Sequence, residues 1–179
     1  MRLFISVNFS DEIKSRILDV QAQLRAQSLK GNFSRPDNLH ITLAFIGETH
    51  EEKLSAICKI LEELRFPPFE IWFNRTGCFT HSRKELWWIG SEASGMDRNN
   101  TILKSIHALL LENLLKAGFP VDKRSFNAHI TLGREIKRSG PIILSCPEIR
   151  VPVDRVSLMK SEHVKGILTY TEIKGKDLF

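Results

Sequence analysis

Four residues that could do chemistry occur twice in this chain. His40-Ile41-Thr42-Leu43 returns as His129-Ile130-Thr131-Leu132, and Asn38 and Asn127 stand two residues ahead of each copy. Both copies therefore read Asn-x-His-Ile-Thr-Leu. Imidazole changes charge near neutral pH, so one of two histidines can accept a proton while the other donates one. A threonine hydroxyl can donate a hydrogen bond to an anion. Two His-x-Thr pairs around one phosphorus would supply a general base, a general acid and two donors to the non-bridging oxygens. That set can cleave an activated phosphodiester without a metal, provided the histidines stand on opposite sides for in-line displacement. A lone histidine on a strand is usually structural. The repetition of Asn, His, Ile, Thr and Leu at matched positions singles these two out.

The motifs need strands to work. In an extended strand successive side chains point to opposite faces, so His and Thr share one face while Ile and Leu join a core on the other. Around them the chain reads as alternating elements. Leu3 to Phe9 predicts a strand. Ser10 caps a helix whose stripe is Ile13, Ile17, Val20 and Leu24, with Asp11 and Glu12 at the positive end of its dipole, ending before Gly31. Residues 32–38 read as a polar turn. The first motif strand runs through Phe45 and Ile46 and stops at Gly47. Thr49 and Glu52 form a capping box for a second helix with stripe Leu54, Ile57, Leu61 and Leu64, which Pro67-Pro68 ends. Strands at Phe69–Phe79 and Leu86–Gly90 form a hairpin across the turn His81–Lys84. A third helix spans about Asp97–Lys116, with Leu103, Ile106, Leu110 and Leu114 on one face and Gly118 as its stop. Phe119–Arg124 leads to the second motif strand, and a loop opens at Ser139-Gly140-Pro141. Arg155–Ser161 and Ile167–Ile173 close as a hairpin around Gly166. This order predicts an α+β fold with mostly antiparallel pairing, with each motif in its own half of a pseudo-symmetric, bilobed domain spanning residues 1–179.

Composition narrows the class. The chain has 179 residues, 42% hydrophobic and 26% charged, with a formal charge of +5 and a pI near 9.2. This mild basic excess favours an anionic partner. No run is long enough to cross a bilayer and the first apolar run is too short for a signal sequence, so the cytoplasm is expected. Cys58, Cys78 and Cys146 form no CxxC pair, which indicates neither a disulfide framework nor a zinc ribbon. No HxxxH or HxH spacing suggests a metal, and none is expected. His50, His81, His107 and His163 are expected at the surface. Arg134 and Arg35 could pair with phosphate. Among the aromatics, Phe45, Trp72, Trp87, Trp88, Phe126 and Tyr170 could stack a base, although most are expected in the core.

The paired His-x-Thr strands resemble the two-histidine phosphoesterase superfamily. The string Arg35-Pro36-Asp37-Asn38-Leu39-His40-Ile41-Thr42-Leu43-Ala44-Phe45-Ile46-Gly47-Glu48 resembles its RNA 2′,3′-cyclic phosphodiesterase branch, also called the 2′-5′ RNA ligase family. Arg2-Leu3-Phe4-Ile5 and Asn127-Ala128-His129-Ile130-Thr131-Leu132-Gly133-Arg134 fit the same branch. The chain departs from it at Pro36, where many members carry tryptophan. The resemblance implies a bilobed α+β fold of two mostly antiparallel sheets, with outer helices and both motifs lining a central cleft. It implies metal-independent hydrolysis of RNA 2′,3′-cyclic phosphate ends to 2′-phosphate, without a cofactor, by a monomer. It further implies that His40 is the proton donor and His129 the acceptor, which the near-symmetry of the motifs does not decide. Thr42 and Thr131 would hold the phosphate oxygens. Arg134, Arg35, Phe45 and Tyr170 would contact the rest of the substrate. The same apparatus run backwards would join RNA through a 2′-5′ link. Two other readings are a phosphodiesterase acting on another 2′-5′ or small cyclic nucleotide, and a non-catalytic RNA-binding module.

Overall fold

The structure is a computed structural model that describes residues 1–82, 84–91, 98–121 and 125–179. The chain begins with β1 (Arg2–Asn8), α1 (Asp11–Ala26), β2 (Lys30–Phe33) and β3 (His40–Glu48). It continues through α2 (Leu54–Glu62), β4 (Phe69–Phe73), β5 (Arg75–His81), β6 (Lys84–Gly90) and α3 (Arg98–Lys116). It ends with β7 (His129–Lys137), β8 (Ile149–Val153), β9 (Arg155–Val164) and β10 (Ile167–Asp177). Ser10 caps α1 as expected, its hydroxyl accepting from the Ile13 amide at 3.4 Å. Gly118 ends α3 with φ of +79°, a conformation that costs glycine little. The expected helix start at Asp97, Arg83 of the hairpin turn and the last residues of the Phe119–Arg124 connector lie outside the described residues.

The architecture is α+β with antiparallel sheets. An eight-stranded sheet runs β10-β9-β1-β3-β7-β6-β5, with β2 also on β7, and β4 and β8 form a small second sheet. The large sheet is two lobe sheets joined at one place. β1 pairs with β3 along its whole length and β6 with β7 from Glu85 to Gly90, whereas β3 and β7 pair only at Ile41 and Ile130. On one face of both lobes Ile41, Leu43, Ile130 and Leu132 are fully buried with Leu3, Ile5, Val7 and Ile89. The stripe Ile13, Ile17, Val20 and Leu24 of α1 joins that core, as do Leu103, Ile106, Leu110 and Leu114 of α3. Burying each such side chain contributes roughly 1.5–3 kcal/mol.

Both motif strands bulge at their leucine. On β3 the register passes from Ser6–Thr42 to Ile5–Ala44 and skips Leu43. On β7 it passes from Trp88–Thr131 to Trp87–Gly133 and skips Leu132. The two lobes pair no further than Ile41 and Ile130, and side chains from helices bond both leucine carbonyls. His107 of α3 donates Nδ1–H to the Leu43 carbonyl at 2.6 Å. Gln21 of α1 donates Nε2–H to the Leu132 carbonyl at 2.8 Å and to the Ser34 carbonyl at 2.8 Å. His107, expected at the surface, is instead half-buried and stacked on Phe126 with ring centroids 4.4 Å apart.

Other expectations change for physical reasons. The predicted strand Phe69–Phe79 divides at Asn74, because β4 buries Ile71 and Phe73 against β8 while β5 joins β6. Thr49 does not cap a helix. Its amide donates to the Met1 carbonyl and its hydroxyl to the Gly47 carbonyl, closing the end of β1 and β3. The helix starts instead through a short 3-10 turn at Glu51–Lys53. Asn32 and Phe33, expected at the start of the polar turn, belong instead to β2, which forms because β7 offers an edge beyond Ile130. β8 follows a segment tied to α1, where the Gln23 and Gln27 amides each both donate to and accept from the backbone of Ser145 and Ile143. Gln21→Leu removes two buried bonds at similar bulk. It is expected to lower stability by about 1–3 kcal/mol, read as a lower midpoint of urea unfolding. His107→Phe keeps a ring on Phe126, loses the bond to Leu43 and is expected to act in the same direction. The Leu132 carbonyl also accepts from the Ser34 amide at 2.9 Å, and an unchanged midpoint in both variants would show that the helix side chains add nothing to the stability of the bulges.

Candidate active site

The Ile41–Ile130 pairing sets the geometry of the site. In an antiparallel pair the neighbours of a matched pair share the opposite face. His40 then stands across from Thr131, and Thr42 across from His129, all four on the face away from the core. The burial pattern of the two strands agrees, with His and Thr half-buried and Ile and Leu buried in both. A local two-fold relation thus runs through the isoleucine pair and divides one site between two walls.

The residues before each histidine fix its tautomer. His40 Nδ1 lies 2.8 Å from the Asn38 carbonyl, and His129 Nδ1 lies 2.7 Å from the Asn127 carbonyl. A carbonyl only accepts, so each Nδ1 carries the hydrogen and each neutral ring presents a bare Nε2 to the site. Nε2 of His40 accepts from the Thr42 hydroxyl at 2.9 Å. Nε2 of His129 has no hydrogen-bond partner among the described residues. Asn38 also donates its amide to the Leu168 carbonyl at 2.9 Å, which ties the approach to the first motif to β10.

Both rings are held neutral. Burial removes water from the charged form of His40, and Arg134 and His129 add repulsion, so its pKa falls to about 4 despite the Asn38 carbonyl. Burial also lowers His129, helped by the Arg134 charge and opposed by the Asn127 carbonyl. The desolvating surface around His40 is aromatic. Phe4 lies 4.9 Å away and Tyr170 5.3 Å away, the latter edge-on at 86°. On the other wall Phe79 stands edge-on to His129 at 5.4 Å and 90°, beside Trp88.

The bulges decide which further side chains look into the site. Strict alternation would put Phe45 and Arg134, each five residues after its histidine, on the core face. The skipped leucines turn both over. Phe45 pairs across the strand with Phe4, is 40% exposed, and carries the Arg2 guanidinium 5.0 Å above its ring. Arg134 pairs across from Leu86, is exposed, and its charge acts on His40, His129 and Tyr170. The structure thus brings together His40, Thr42, His129, Thr131, Arg134, Tyr170 and Phe45. Arg35 is exposed at the start of the Pro36–Asn38 turn, and no contact joins it to either histidine. Trp87 is core and Trp72 lies on the small sheet. Phe4 and Phe79 line the walls and were not singled out in the sequence. Phe4 could have been found, since it falls on the strand face opposite Leu3, Ile5 and Val7. Phe79 could not, because it approaches His129 from β5 across the intervening strand β6. Among the described residues no three His, Cys, Asp or Glu side chains converge in a way that could hold a metal ion. No helix among them is long and apolar enough to cross a membrane.

Known proteins resemble this chain in sequence and in fold. A family model described as LigT-like phosphoesterase matches residues 7–88. The chain is 38% identical over 143 residues to the RNA 2′,3′-cyclic phosphodiesterase of Archaeoglobus fulgidus, covering 79% of this chain and 76% of that one. It is 33% identical over 135 residues to the protein of the same name from Methanocaldococcus jannaschii, covering 75% and 71%. The crystal structure of Escherichia coli LigT in its apo form superposes with a TM-score of 0.84 at 26% identity, covering 99% of this chain and 96% of that one.

Nitrogen NMR of the ligand-free protein checks the tautomers and charges directly. At pH 7 both His40 and His129 are expected neutral with the hydrogen on Nδ1, and His40 is expected to titrate near pH 4. An Nε2–H tautomer, or a His40 midpoint above 6, would contradict the arrangement. The sign for stability follows from the same shift. The unfolded chain protonates His40 near 6.5 and the folded chain only near 4, so this residue's contribution is present above 6.5 and is lost as pH falls towards 4.

Proposed function

The chain belongs to the LigT-like phosphoesterases, the family of the RNA 2′,3′-cyclic phosphodiesterases, and on that premise we propose that it hydrolyses RNA 2′,3′-cyclic phosphate ends to 2′-phosphomonoesters without a metal. The observation that carries this reading is the divided site at Ile41–Ile130, where two imidazoles present Nε2 from opposite walls. The whole chain acts as one two-lobed domain, as a monomer in the cytoplasm, with RNA as its partner.

His129 is the base and His40 the acid. Nε2 of His129 has a lone pair with no donor on it among the described residues, so it can take a proton from water as the water oxygen attacks phosphorus. The P–O3′ bond breaks, O3′ takes the proton of His40 Nε2, and the phosphate stays on O2′. Each proton transfer contributes roughly a hundred- to ten-thousand-fold in rate. Thr42 and Thr131 donate to the non-bridging oxygens, which carry more charge in the transition state, and Arg134 binds the phosphate as a cation.

The depressed pKa of His40 gives substrate a part in charging the site. A cyclic phosphate is a monoanion that offsets Arg134 and favours the imidazolium. Protonation of His40 also reverses its bond with Thr42. Nε2 becomes a donor, and the threonine hydrogen is released towards the phosphate. The acid and the oxyanion donor are therefore armed together, when phosphate arrives.

His40→Ala and His129→Ala are each expected to lower kcat by at least a hundredfold, read by phosphorus NMR on an oligonucleotide ending in 2′,3′-cyclic phosphate. Wild-type conversion to 2′-phosphate is expected to persist in excess chelator, and its loss there would sink the metal-free reading. Arg134→Gln is expected to raise KM more than it lowers kcat. The pH profiles carry a sign. The free enzyme must hold His40 protonated and His129 neutral, and both pKa values lie below 6.5. kcat/KM is therefore expected to peak on the acid side of 6.5 and to fall as pH rises through neutrality. Bound phosphate raises both values, so the kcat optimum is expected at higher pH. Coincident optima would contradict this coupling.

A further inference from the structure

The His129 wall is built with more aromatic surface than hydrolysis uses. Water, the nucleophile that His129 serves, has no base to stack. Yet Phe79 is 39% exposed on the site face, edge-on to His129 and 5.1 Å from Trp88. Trp88 pairs across from Thr131, so its ring lies on the same face as the hydroxyl. Two glycines make room for it. A Cβ at Gly77, its neighbour on β5, would fall 2.2 Å from Cζ2 of the indole, and one at Gly90 would fall 2.7 Å from Cζ3. Glycine weakens a strand interior and marks a close approach. Here both approaches are to the same ring. The indole N–H is buried with no hydrogen-bond partner among the described residues.

The opposite wall has the matching set. Phe4 and Tyr170 flank His40 at 4.9 and 5.3 Å as Phe79, backed by Trp88, flanks His129, although the registers differ and Ser6 stands across from Thr42 where Trp88 stands across from Thr131. Hydrolysis fills only one shelf. O2′ and O3′ of a cyclic phosphate belong to one nucleoside, and His40 protonates O3′. That nucleoside therefore lies on the His40 wall, and the nucleophile enters from the His129 wall.

We propose that Phe79 and Trp88 form a second nucleobase subsite, for a nucleoside whose 5′-hydroxyl takes the place of water. The proposal rests on the function assigned above and extends it to a second RNA end. In the step it supports, the 5′-hydroxyl gives its proton to Nε2 of His129 as O5′ bonds to phosphorus. The P–O3′ bond breaks and O3′ takes the proton of His40. The products are a 2′-5′ phosphodiester and a 3′-hydroxyl, with no co-reactant. Every base has a π-face, so the subsite is tolerant of sequence.

The test uses the full chain with two oligonucleotides, one ending in 2′,3′-cyclic phosphate and one beginning with a 5′-hydroxyl. Hydrolysed and ligated products are counted in the same mixture. Phe79→Leu is expected to lower the ratio of ligation to hydrolysis about tenfold, and Phe79→Tyr, which keeps a ring, is expected to hold it. An acceptor with an abasic first residue is expected to lower the wild-type ratio to a similar degree and to have no further effect in Phe79→Leu. A parallel fall of both activities in Phe79→Leu, or a wild-type ratio indifferent to the acceptor's base, would overturn the subsite. So would wild-type hydrolysis without any ligation. A wild type that leaves the cyclic phosphate intact would instead overturn the assigned function beneath it.

Discussion

The structure depends on one rung of a β-ladder. Ile41 and Ile130 are the residues at which β3 and β7 pair, and both are wholly buried. Their contact holds two lobe sheets together and puts His40, Thr42, His129 and Thr131 on the face behind it. A longer ladder would flatten the two walls into one continuous sheet. With no ladder at all, nothing in the strands would set the distance between them. A single rung joins the walls and lets them diverge, which is the condition for a group to stand between two imidazoles.

Strands that part leave backbone groups without their usual partners, and a buried carbonyl without a donor is costly. The helices behind the sheet help to meet that demand, alongside the Ser34 amide, which also donates to the Leu132 carbonyl at 2.9 Å. His107 from α3 reaches the carbonyl of Leu43, and Gln21 from α1 reaches that of Leu132, at equivalent bulges of the two motif strands. These contacts lie on the far side of the sheet from the site, yet they fix the places where the strands turn. The turn matters for chemistry because a skipped residue reverses the side-chain alternation after it. Phe45 and Arg134 look into the site for that reason.

Electrostatics completes the design from the same elements. Burial against Phe4 and Tyr170, together with the Arg134 charge, keeps His40 neutral. The carbonyls of Asn38 and Asn127 hold the hydrogen on Nδ1 of both rings, so each ring presents a bare Nε2 to the site. The matched asparagines of the two motifs act through their backbone, which any residue has. Asn38 spends its side chain elsewhere, on β10.

Much of this was legible along the chain. The repeated His-x-Thr, the alternation that sets it against Ile and Leu, the Ser10 cap and the Gly118 stop are local features, and local rules of strand periodicity and capping read them correctly. β2, the division of β4 from β5 at Asn74, and Thr49 closing a sheet end instead of capping a helix were not legible. Each is decided by an edge or a carbonyl supplied from far along the chain. The same holds within the site. The sequence by itself determined the four groups that can do the chemistry and the face each takes on its own strand, because side-chain direction in a strand is a matter of residue spacing. Only the tertiary structure decided that the two strands meet at a single residue pair. It alone decided that the bulges after them turn Phe45 and Arg134 inward, that burial depresses both histidines, and that Phe79 stands beside His129. These depend on pairing and desolvation between segments about ninety residues apart, and no spacing within either segment encodes them.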